Sequence, residues 1–116
     1  MEVFRTSAPG VNLISNPNFT SGMFGWFPQG NMNQTAADAA GGTGGSGCLH
    51  VRATGAGNTG ANRVRTALTS ALGGGENVTI RAKVRWLKGN PEILFRLKGS
   101  WLEATAPVLT AHNLGT

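Results

Sequence analysis

The sequence predicts an all-β fold, a two-sheet antiparallel β-sandwich, and three observations carry that prediction. Apolar and charged residues alternate with a period of two in several segments, the mark of strands with one buried and one solvated face. Glycine occurs 18 times in 116 residues, well above its ordinary share, and it clusters between those segments, where the chain must turn. No segment combines a helical period with caps. With 40% hydrophobic and only 13% charged residues, the chain suits a single modest core joined by long connections.

Taken in order, residues 1–10 read as an N-terminal extension and residues 11–116 as one sandwich domain. Asn12–Ile14 and the stretch GNMNQT from Gly30 read as short strands. The run AADAAGGTGGSG from Ala36 has too little side chain to pack and reads as a flexible tip. CLHVRA from Cys48 places Leu49 and Val51 inward, with His50 and Arg52 outward. A glycine-rich connection over Thr54–Ala61 leads to NRVRTAL, which puts Arg63 and Arg65 on one face.

Gly73–Gly75 precede the clearest alternation, Asn77–Leu87. Val78, Ile80, Ala82, Val84 and Trp86 share one face, and Thr79, Arg81, Lys83 and Arg85 share the other. Gly89-Asn90-Pro91 supplies a turn into PEILFRLKG, where Ile93, Phe95 and Leu97 oppose Leu94, Arg96 and Lys98. The segment from Val84 to Ala104 therefore reads as a hairpin with a core phase and a basic phase. A strand containing Trp101 and a last one through Pro107–Ala111 bring the total to roughly seven or eight, spaced as in a sandwich.

Composition bounds the function. No apolar run approaches the ~18 residues of a membrane span, and the start of the chain lacks the basic-then-apolar pattern of a signal peptide. The chain reads as part of a larger secreted protein whose export signal lies elsewhere. Cys48 is the single cysteine, so neither an internal disulfide nor a cysteine-based zinc site can form. The net charge of +5 is uneven. Up to Cys48 the charged residues are Arg5, Glu2 and Asp38, one basic against two acidic; the other nine basic residues follow Cys48.

Catalysis needs an acid or base within reach of an orienting partner, and the supply is thin. The five carboxylates, Glu2, Asp38, Glu76, Glu92 and Glu103, match no catalytic motif, and no nucleophile elbow, phosphate-binding loop or paired-histidine zinc motif is present. His50 and His112 fall short of the three or four ligands a metal usually requires. The chain is read as a non-enzyme. Asn-x-Thr triplets at Asn18, Asn33 and Asn77 match the N-glycosylation acceptor pattern.

Two features suggest binding. Arg81, Lys83 and Arg85, continued by Arg96 and Lys98 and by Arg63 and Arg65, form a basic stripe that would attract an anionic polymer, or that simply solvates a sheet face and opposes edge-to-edge association. No aromatic interleaves with that stripe, which argues against a stacking platform for single-stranded nucleic acid. Of the tryptophans, Trp86 is in phase with core residues; Trp26 and Trp101, near loops, suit packing and ligand stacking equally.

The stretch NLISNPNFTSGMFGWFPQGN resembles the opening of carbohydrate-binding modules with the galactose-binding-like jelly roll, which begin Asn-Leu-x-x-Asn-Pro-x-Phe-Glu and continue to Gly-Trp. GTGGSGCLHVRATG is similar to the small-residue loop and strand that follow in those modules. The run from GANRVRTALTS to NLGT is similar to domains of large bacterial extracellular proteins with lamin-tail and spore-coat-H-like regions. This resemblance implies a jelly roll, an extracellular or cell-surface location beside neighbouring domains, and a polysaccharide partner, acidic if the basic groups take part. On that reading Trp26 or Trp101 stacks on a sugar while Asn31, Asn33, Arg81 and Arg85 hydrogen-bond its hydroxyls. The alternative is a structural or protein-interaction domain with no sugar ligand. The family's structural calcium uses the motif's glutamate; here that position is Thr20, which removes a carboxylate ligand.

Overall fold

A computed structural model describes residues 1–57, 59–97 and 102–108. The chain divides at Arg81 into two compact units, Met1–Arg81 and Ala82–Thr116. Its regular structure is mostly strand, all of it antiparallel, with two single turns of 3-10 helix at Gly30–Met32 and Thr43–Gly45 and no α-helix among the described residues. No described helix is long and apolar enough to cross a membrane.

The first unit contains β1 (Glu2–Arg5), β2 (Trp26–Gln29), β3 (Ala36–Asp38), β4 (Cys48–His50), β5 (Arg63–Thr66) and β6 (Val78–Arg81). They pair as β1 with β6, β2 with β5, and β3 with β4. An isolated bridge between Ile14 and Leu68 falls between the first two pairs in the same order. The pairing is nested: the chain runs out to a tip and returns beside itself. The tip is the Thr43–Gly45 turn, where Gly44 and Gly45 take φ of 66° and 81°, a region costly for residues with a Cβ.

The core of this unit sits against β1, β2 and the segment between them. Val3, Leu13, Ile14 and Trp26 are buried, with Phe19, Met23, Leu49, Val64, Leu68, Val78 and Ile80 among the half-buried residues packed on them. Cross-strand partners Val3 and Ile80 both contribute. Asn12 ties the wall together: its Oδ1 accepts from the Val3 and Ile14 amides, each at 3.1 Å. Residues 1–10, expected as an extension, thus supply a core strand.

Several expected strands differ in place or length. Asn12–Ile14 makes one bridge rather than a strand, and GNMNQT forms a 3-10 turn, while β3 falls in the run read as a flexible tip. β4 stops at His50, so Val51 is 51% exposed instead of inward. The long strand Asn77–Leu87 is realised only as Val78–Arg81, because β6 extends only as far as β1 supplies partners, ending at Glu2 opposite Arg81. Beyond it the alternation has no sheet to act on, and Val84 and Leu87 are exposed.

In the second unit, β7 (Glu92–Leu97) pairs with β8 (Leu102–Pro107), not with β6. The hairpin expected from Val84 is therefore displaced along the chain. Within β7 the predicted phase holds: Ile93, Phe95 and Leu97 are half-buried and alternate with exposed Leu94 and Arg96. Arg96 pairs with Glu103 across the strands. Trp86, expected in the core phase of β6, lies in the irregular stretch before β7, half-buried, with Nε1 donating to the Gly89 carbonyl at 2.9 Å.

Candidate functional site

The β2–β5 pair presents the arrangement best suited to a ligand. Its register sets Phe27 opposite Arg65 and Gln29 opposite Arg63, while Trp26 faces Thr66 and Pro28 faces Val64. Side chains alternate between faces along a strand, so Phe27, Gln29, Arg63 and Arg65 share one face and Trp26 and Val64 the other. The second set joins the core. The first is the outward face.

On that face Phe27 is 54% exposed, and the Arg65 guanidinium carbon lies 5.9 Å from its ring centroid. That distance is near the outer limit of a cation–π contact, with the guanidinium over the ring and the residue still largely exposed. Arg63 Nε donates to Gln29 Oε1 at 2.7 Å. This bond orients the guanidinium and leaves the terminal nitrogens as donors. The face combines a flat apolar surface with planar donors, the chemistry that recognises a ring carrying polar substituents.

A buried asparagine builds the loop leading into β2. Asn16 Nδ2 donates to the carbonyls of Gly22 and Phe24 at 2.9 and 3.0 Å, and its Oδ1 accepts from the Ser21 amide at 3.3 Å. Its own carbonyl accepts from Trp26 Nε1 at 3.1 Å. The chain from Ser21 to Gly25 is thereby wrapped around one residue, and Phe24, at the end of that wrap, is 71% exposed.

Among the described residues of the first unit, those expected to bind sugar lie on different elements. Trp26 is 8% exposed, tilted against Phe19 at a centroid distance of 5.1 Å, and its N–H is used internally. An indole so enclosed has no face for a sugar, and of its two readings packing is the one realised. Asn31 straps loops: its main-chain N–H donates to Asn62 Oδ1 at 3.1 Å, and its Nδ2 donates to the Gly55 carbonyl at 2.7 Å. Asn33 is exposed in the turn that follows. Arg81 is bound to Glu2 at 2.9 Å, with its guanidinium 4.8 Å from the Phe4 ring centroid. Arg85 belongs to the second unit, past the end of β6, so Arg81, Lys83 and Arg85 do not line one strand face. Trp101, Lys98 and His112 lie outside the described residues.

The remaining polar clusters are structural. A recess of about 310 Å³ is lined by Arg5, Thr6, Ser7, Glu76 and Asn77. Arg5 there meets Glu76 at 2.8 Å, and also donates to the Ala71 carbonyl. The Gly73 amide, and then Arg5, hold the Glu76 carboxyl below the usual range. Thr20 is exposed, and among the described residues no three His, Cys, Asp or Glu side chains gather as a metal site. The Asn18 carbonyl is approached closely by Gly47. The three glycosylation-type asparagines, Asn18, Asn33 and Asn77, are all exposed.

The alternation in NRVRTAL marks Arg63 and Arg65 as sharing a face, whereas Phe27 and Gln29 carry no comparable signal in the sequence. Their alternation within WFPQ becomes readable only once Trp26 is assigned inward. Compared with protein-family models, curated proteins and solved structures, the chain matches none.

Proposed function

We propose that the chain is a non-catalytic carbohydrate-binding domain of an extracellular modular protein, built on a jelly roll, and that the outward face of β2–β5 receives the polysaccharide. The observation carrying this reading is the exposed Phe27 ring, paired across the strands with Arg65 and next to the Arg63–Gln29 pair on the same face. The ring stacks on the apolar face of a pyranose, and the guanidinium and amide groups bond its substituents. The nested strand pairing of residues 1–81 supports the jelly-roll reading, since winding a long antiparallel ribbon produces such pairs. Affinity electrophoresis through gels containing different polysaccharides tests it. Retardation by at least one polymer, abolished by Phe27→Ala, is expected; no retardation across a broad panel would overturn the reading.

One observation favours a structural or protein-interaction domain instead. Val84, Leu87 and Leu94 of the second unit are 47%, 57% and 51% exposed, apolar surface that a neighbouring domain could cover. On that reading no glycan retards the chain, and Phe27→Ala changes nothing.

A further inference from the structure

We infer that the β2–β5 face selects acidic glycans, specifically polymers carrying uronic-acid carboxylates; the inference rests on the carbohydrate-binding reading and names its ligand class. It follows from how the first unit distributes its charges. That unit holds five arginines and three carboxylates. Glu2 is taken by Arg81 and Glu76 by Arg5. Asp38 accepts from the Ala40 and Gly41 amides of its own turn, each at 3.0 Å. Neither β2 nor β5 contains an acidic residue. Among the described residues, Arg63 and Arg65 therefore have no carboxylate counterion, although both have a neighbour on the face, Arg63 bonded to Gln29 and Arg65 over the Phe27 ring.

Two residues two positions apart on one strand have Cα atoms about 6–7 Å apart, which sets the spacing from which the two guanidiniums extend. Each offers the paired N–H edge that matches a carboxylate. A sugar ring seated on Phe27 would carry its carboxylate beside Arg65, and the next acidic group along the chain would come near Arg63. Two cations beside one ring make a short site. Nucleic acid affinity, by contrast, grows with a longer track of phosphate contacts.

The test uses the full chain with polygalacturonate and its methyl ester, polymers that share a backbone and differ in charge. The acid form is expected to bind at least about tenfold more tightly at low salt, as a charge-assisted hydrogen bond predicts. Arg65→Gln, at an exposed position, should abolish most of that preference, weakening the acid form far more than the ester, while leaving the thermal midpoint unchanged; Arg63→Gln should reduce it further. Equal binding of both polymers would overturn the inference and leave the carbohydrate reading standing. Failure of these and all other polysaccharides to bind would remove both. Equally tight binding of a single-stranded oligonucleotide would also overturn it, reducing the face to a general polyanion surface.

Discussion

Asn16 shows how much one side chain can organise. It is 4% exposed and bonds to both flanks of the loop it closes. Replacing it with alanine removes three part-buried hydrogen bonds to the backbone, at about 1 kcal/mol for each. Asn16→Ala is therefore expected to lower the denaturation midpoint, measured by urea titration, far more than Phe24→Ala at the exposed end of the same loop. Trp26 is expected to emit in the blue and resist iodide quenching, in a Trp86→Phe, Trp101→Phe background that isolates its signal. Trp26→Ala should cost about 3–5 kcal/mol, as for other buried aromatics. Red-shifted, quenchable emission would return Trp26 to the candidate site. At this scale the sequence was only partly legible, because Trp26 and Phe27 are adjacent and chemically alike; which of them turns inward depends on the pairing with β5.

Among elements, β1 shows what local pattern cannot reveal. EVFR is too short for its alternation to stand out, and both its central residues are buried: Val3 in the core, and Phe4 beneath the Arg81 guanidinium. The β1–β6 ladder is closed by Glu2–Arg81 at one end and Arg5–Glu76 at the other. Glu76 has its acidity strengthened in the folded state by the Gly73 amide and then by Arg5. A carboxyl with a lowered folded-state pKa contributes stability above its ordinary value of 4.5, and that contribution is lost as the pH falls through the lowered value. Thermal melts between neutral and acid pH should show the midpoint falling over this range, and Glu76→Gln should flatten the fall. An unchanged profile would mean that the contact contributes nothing, as exposed ion pairs often do. The strands read correctly, β5 and the buried phase of β7, are those whose own alternation meets a partner of matching length; β6 fell short of its pattern when its partner ended.

For the whole molecule, the division at Arg81 has a direct consequence. Every buried hydrophobic residue among the described residues lies before that point. A fragment of residues 1–81 is therefore expected to unfold cooperatively and to keep any glycan binding that depends on Phe27, and calorimetry with affinity electrophoresis would check both. Loss of cooperative unfolding would show that residues 82–116 are needed for its stability. What the sequence by itself determined was the all-β class, the glycine-rich turns, the shared face of Arg63 and Arg65 and the phase of β7, because period two and turn chemistry are properties of neighbouring residues. Only the tertiary structure decided that the start of the chain is core, that Trp26 faces inward and Phe27 outward, and that Arg5 and Arg81 meet carboxylates while Arg63 and Arg65 do not. Those outcomes depend on contacts between residues dozens of positions apart, set by which strands pair and where each pairing ends.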